Sequence, residues 1–161
     1  MEVETSTGVV FIAKGIPFAL FEMLHNKHQA SQPKVPVIHN ADKDRDEENP
    51  LDPDYIQAKQ SWELAYSSKV FDVLYKMGLD LVSVPKGMLR PEDDWGVAFD
   101  ELDIGFEMPE NPKDRYLSWI KLVAAPLATD TAKLSLAVSR ESGVPEEDVR
   151  AITDMFRDNE A

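Results

Sequence analysis

Cysteine is absent from the 161-residue chain, which excludes disulfides, thiolate metal sites and cysteine nucleophiles and fits a reducing compartment. Basic side chains are scarce: 17 Lys and Arg stand against 30 Asp and Glu, a formal net charge of -13. Such a surface repels phosphate, so nucleic acid is not an expected partner. Long apolar runs are also missing. Nothing approaches the ~18 consecutive apolar residues that mark a membrane span, and no membrane partner is expected. The run Val9 to Ala13 is too short, and Met1 to Lys14 too acidic, for a signal peptide. The seven glycines are scattered and no Gly-x-Ser-x-Gly occurs, which removes phosphate cradles and serine nucleophile elbows from consideration. No fixed-period repeat is present, so a solenoid is not expected.

What the chain does have is ordinary globular material. Its hydrophobic fraction of 43% suffices to offset the entropy of ordering most of the chain, and its length predicts a single domain over 1–161. From Ser31 to Pro53, however, four prolines enclose the charged run Asp42 to Glu48. Neither helical nor strand periodicity survives there, and residues 31–53 are expected to form a flexible acidic, proline-rich linker, with Val35 to Ile38 lying along a sheet edge.

Local patterns predict a mainly α fold: about five helices around one core with a minor two-stranded β element. Val9 to Ala13 and Leu79 to Val84 read as strands that pair with each other. Pro17 opens a helix to about Lys27 that carries Phe18, Leu20, Phe21 and Leu24. Asp52-Pro53-Asp54 combines a side-chain cap, proline at the first helical position and an acid at the positive end. The helix that follows runs to Met77 and is stopped by Gly78. Asn111-Pro112 repeats the device and starts a helix bearing Tyr116, Trp119, Ile120 and Val123, which Pro126 must end. Thr129 is expected to cap a further helix ending at Gly143. A last helix is expected from Pro145-Glu146-Glu147-Asp148, with Val149, Ile152, Met155 and Phe156 on its buried face. Pro91 to Asn111, with eight acids, no base and Trp95, Phe99 and Phe106, reads as an acidic, partly docked loop.

Candidate chemistry is thin. His25 and His28 lie one helical turn apart, and His39 is the third histidine, but zinc needs further ligands and no cysteine exists. Asp42, Asp44 and Asp46 have calcium-loop spacing, yet Glu47 stands where that loop needs glycine and Pro53 where it needs a bidentate glutamate. No metal and no cofactor is therefore assigned. Glu92, Asp93 and Asp94 beside Trp95 are the only candidates for a carboxylate of raised pKa, and adjacent acids in a loop usually face solvent; no catalytic residue is assigned. The aromatics on the first half of the long helix are the better signal. Tyr55, Trp62 and Tyr66 are the candidate partner-binding residues, weighed against a plain core role for the same stripe.

The segment Glu48-Asn49-Pro50-Leu51-Asp52-Pro53-Asp54-Tyr55, with Trp62-Glu63 and later Asp72 and Gly78, resembles small tailed-bacteriophage proteins, tail assembly chaperones above all. The likeness covers about residues 48–84. It implies a non-enzymatic protein in the cytoplasm of the infected bacterial host. Such a protein keeps the tape measure protein soluble while tail tube protein polymerises around it. A structural morphogenesis or connector protein retained in the particle is the alternative, and homo-oligomer formation is left open.

Overall fold

In a computed structural model of the chain, the described residues are 1–145 with 147 and 148. They divide into two compact units: a sheet unit built from Met1–Pro17 and the chain from Asp72 onward, and a helical unit, Phe18–Phe71. The boundaries fall at Pro17 and Phe71. The expected linker at 31–53 therefore lies inside the helical unit and does not separate the two.

The sheet unit is built on three antiparallel strands, β1 (Glu2–Glu4), β2 (Val10–Ala13) and, after the long helix, a strand at Leu79–Ser83, in that spatial order. The predicted pairing holds, with Phe11 opposite Leu81 and Ala13 opposite Leu79. The two-stranded expectation is corrected by β1, where Val3 faces Phe11. Its three residues are too few to register a period, and the two glutamates flanking Val3 disguised a strand edge as an acidic terminus. Alternation then does its ordinary work: Val3, Val9, Phe11 and Ala13 are buried while Ile12 is 41% exposed.

Within the helical unit, α1 (Phe18–Ala30) is followed by a hairpin of β3 (Val37–Asn40) and β4 (Arg45–Glu48). The stretch expected to lack structure, apart from a sheet edge at Val35 to Ile38, thus contains a strand pair, and β3 takes in the last two residues of that edge. Its charges are matched across the ladder. The His39 ring sits 3.1 Å from Asp46, the Asn40 amide donates to Glu47 at 3.0 Å, and Lys43 and Arg45 also reach Glu47. The Asn40 amide above all, then Arg45 and Lys43, hold the Glu47 carboxyl below its ordinary range. Asn40 Oδ1 accepts from the backbone of Asp42 and Lys43, and Asp44 takes a left-handed φ of 45°, so the would-be calcium spacing forms the hairpin turn.

Helix α2 (Pro53–Gly78) starts as expected, with Asp52 accepting from the Tyr55 N–H at 2.9 Å, and leads directly into β5 (Leu79–Ser83). One turn, α3 (Val97–Asp100), interrupts the acidic loop. In α4 (Pro112–Trp119) Asn111 caps the Lys113 N–H at 2.9 Å, and the helix continues as a π-helical turn over Ile120–Ala124 that ends before Pro126. α5 (Ala128–Glu141) begins earlier than predicted. Thr129 lies within its first turn, and the carboxylate of Asp130, not the Thr129 hydroxyl, serves its start. Of the helix expected from Pro145, Glu147 and Asp148 are helical, and Val149, Ile152, Met155 and Phe156 lie outside the described residues. Among the described residues helix makes up ~49% and strand 14%, so the expected five helices stand and mainly α is corrected to α/β, with a three-stranded and a two-stranded antiparallel sheet.

Every buried residue among those described belongs to the sheet unit. Trp119, Ile120, Leu134 and Val138 are fully enclosed, and Phe11 meets the Trp119 ring edge-on at 6.3 Å. Two tyrosines share this core. Burial pushes the Tyr116 phenol far up, with Asp80 adding to it, and burial likewise raises Tyr75. Each stays protonated in the fold above pH ~10, where a tyrosine of the unfolded chain ionises. The unfolded state then binds fewer protons, so stability is intact below that pH and declines above it, by up to about 1.4 kcal/mol per pH unit for each phenol. Urea midpoints measured from roughly pH 9 to pH 12 should fall accordingly, and Tyr116→Phe should flatten the decline. A profile no flatter in that variant would remove Tyr116 from the account.

Candidate protein-binding surface

In the helical unit α1 and the first part of α2 run antiparallel and meet through rings. Trp62 and Tyr66 are separated by four residues on α2, and His25 and His28 by three on α1, so each pair lies on one helix face. His28 stacks on Trp62 with centroids 3.8 Å apart and planes at 12°, and on Tyr66 at 4.4 Å and 22°. His25 meets Tyr66 edge-on at 6.2 Å. The Trp62 indole also donates to the His28 carbonyl at 3.0 Å and lies 3.2 Å from Ser31 Oγ. That carbonyl is in the last turn of α1, where it also accepts from the Ser31 N–H at 3.0 Å and the Ser31 hydroxyl at 2.8 Å. One side chain of α2 therefore joins Ser31 in closing the end of α1.

The three candidate residues are not gathered at one point. Trp62 and Tyr66 come together through His28. Tyr55, two turns before Trp62 and half-buried, joins neither ring. The histidines, read from the sequence as a weak metal signal, are the residues that pattern reasoning missed. Their spacing matches the aromatic spacing on α2, but no single-helix period reveals an imidazole as the partner of an indole.

Beside the stack lies a groove of about 400 Å³ lined by Phe18, Phe21, Glu22, His25, Asn26 and Tyr66. Phe18 is 71% exposed on it. The unit as a whole has no buried residue, and Met23, Leu51, Ile56 and Leu64 are also exposed. Amphipathic helices are stabilised chiefly by covering an apolar face. Here the covering is incomplete.

Family models, curated proteins and solved structures return no match to this chain. The remaining candidates are therefore weighed on geometry. Glu92 and Asp94 are exposed, and Asp93 spends its carboxylate on the Arg90 N–H at 2.7 Å. Trp95 is buried against Phe106 and Phe99, at 5.6 and 6.1 Å, with its indole donating to the Pro91 carbonyl at 3.2 Å. The acids do not converge on it. No group of three His, Asp or Glu side chains able to hold a metal occurs among the described residues, and none of their helices is long and apolar enough to cross a membrane.

Trp62→Phe keeps a ring against His28 but removes both indole contacts, and should cost about 1 kcal/mol. Hydrogen exchange should show faster exchange at residues 28–31, with Leu134 to Val138 unaffected. Equal exchange in both proteins would mean that the indole does not hold the end of α1.

Proposed function

We propose that this chain acts by binding another protein and performs no reaction of its own. The observation that carries this reading is the helical unit, whose apolar side chains are arranged on two well-formed helices and yet left open to solvent. Exposed apolar surface of this kind, rimmed by polar residues, is characteristic of interaction sites. Aromatic anchors such as Tyr55, Trp62 and Tyr66 suit such a site. The scattered carboxylates of residues 92–94 give an enzyme reading nothing comparable.

Within this reading, the resemblance of residues 48–84 to phage tail assembly chaperones supplies the partner class. A tape measure protein is long and helical, and exposes apolar stripes until tail tube protein encloses it. A carrier with a net charge of -13 that covers those stripes lends the complex its own solubility. The setting is the cytoplasm of the infected bacterial host. Co-expression with the tape measure protein of the same phage is the test: that protein should stay soluble and co-purify. Tyr55→Ala should reduce its recovery about tenfold, with an unchanged melting curve separating lost binding from lost folding. If the tape measure protein stays insoluble beside the intact wild-type chain, a structural component retained in the particle replaces the chaperone reading.

A further inference from the structure

We infer that the helical unit docks a second copy of this chain, so that the free protein is a weak, concentration-dependent homodimer joined through α1 and the first part of α2. The inference goes beyond the proposed function, which concerns a foreign partner, although both draw on the same unit.

Three observations favour a second copy. The first is the missing core. Units of this size are marginal even when well packed, and this one, Phe18–Phe71, contains no buried residue. A two-helix layer acquires a core most directly by meeting another such layer, as in four-helix bundles, and a surface meeting its own copy about a two-fold axis is the commonest closed assembly.

The second is charge. Two copies of a chain with a net charge of -13 repel one another over most of their surfaces. The helices of this unit are the exception. α1 carries Glu22 against Lys27, and residues 53–71 of α2 carry Asp54 and Glu63 against Lys59 and Lys69, so each segment is neutral. The excess acid lies elsewhere in the chain. A foreign basic partner would be drawn to those other surfaces, whereas a copy of this chain finds a neutral, apolar face here.

The third is area. Thirteen residues of α1 extend about 20 Å, and two helices side by side are about 20 Å across. Such a face buries roughly 400 Å² per copy, or about 800 Å² in all, which places it among weak and transient interfaces and below obligate ones. A dimer of that strength covers the apolar face while the protein is free and yields it to a tighter partner.

Sedimentation of the purified wild-type protein, alone, provides the test. The mass should rise from 18.1 kDa toward twice that value between about 1 and about 300 µM, a range bracketing the micromolar affinity of small interfaces. Phe18→Glu and Ile56→Glu, at side chains 71% and 39% exposed, should each weaken association at least ~tenfold without altering the far-UV spectrum. Leu102→Glu, at a residue 61% exposed in the sheet unit, should leave association unchanged. A wild-type protein monomeric throughout that range overturns the inference, as does a dimer indifferent to both helical-unit variants or equally weakened by Leu102→Glu. Because no partner is present, the two proposals fail separately. A monomer that still solubilises the tape measure protein sinks the dimer alone, and a dimer that does not solubilise it sinks the chaperone alone.

Discussion

Replacing Asp130 by alanine should lower stability by about 3 kcal/mol. The carboxylate is 3% exposed and has three donors around it. The Ser6 N–H lies 2.7 Å from Oδ1, the Ser6 hydroxyl 2.6 Å from Oδ2, and the Leu127 N–H 3.4 Å from Oδ2. Asp130 is at the third position of α5, where a negative charge also meets the positive end of the helix. The same side chain thus holds the turn between β1 and β2 and the start of the helix packed on them. Alanine leaves those donors without an acceptor, and a desolvated, unpaired donor costs more than the bond it lost. Ser6→Ala, which removes one of the three, should cost about 1 kcal/mol. For a chain of this size the Asp130 variant should melt roughly 10 °C below wild type. A drop of no more than about 2 °C would mean that the turn and helix hold each other by apolar packing alone.

The importance of Asp130 was not legible in the sequence, and the reason is physical. Thr129, Asp130 and Thr131 all suit a helix start. What selects Asp130 is Ser6, a residue 124 positions away, and no local pattern contains that distance. Starts that depend on adjacent residues were readable: Asp52-Pro53 and Asn111-Pro112 open α2 and α4 as the residue types require. The pairing of β2 with β5 was readable for a related reason, since Val9 to Ala13 is a β-branched and aromatic run and Leu79 to Val84 alternates, imperfectly, apolar with polar residues. The β3–β4 hairpin was not, because its stability lies in cross-strand partners such as Asn40 with Glu47 and His39 with Asp46. From the sequence these look like a solvated charge run.

The candidate surface shows the same division. The stripe containing Tyr55, Trp62 and Tyr66 follows from the period of α2 alone. Its neighbours on α1 do not, because His28 meets Trp62 only after the chain has turned through the hairpin at 37–48. Exposure is less legible still. Ile56 belongs to the apolar stripe by its period, yet it is 39% exposed, because the period says which residues share a face and not whether anything covers it.

Gly78→Ala should destabilise the protein by about 2 kcal/mol, although alanine is the better helix former. Gly78 ends α2, and the sequence suggests a glycine chosen to stop a helix through a left-handed conformation. The structure gives it a different task. Its φ is not among the positive values, which are found at Gly8, Gly87, Gly105 and Gly143. Its carbonyl accepts from the Lys14 N–H at 2.9 Å, and a Cβ there would lie 2.5 and 2.9 Å from the two γ-carbons of Val138 and 3.3 Å from Ile16 Cδ1. Val138 is fully enclosed and β-branched, so it cannot swing away to another rotamer without a further clash. Overpacking at about 1–3 kcal/mol therefore outweighs the helix-propensity gain of up to about 1 kcal/mol. A double-mutant cycle isolates the cause. Val138→Ala alone opens a cavity and is destabilising, but in the Gly78→Ala background it also makes room for the new methyl group, so the pair should cost at least ~1 kcal/mol less than the sum of the two. Additive costs, or a Gly78→Ala protein as stable as wild type, would show that the end of α2 can move away from α5. Glycine would then serve this position for its flexibility and not for the space it leaves.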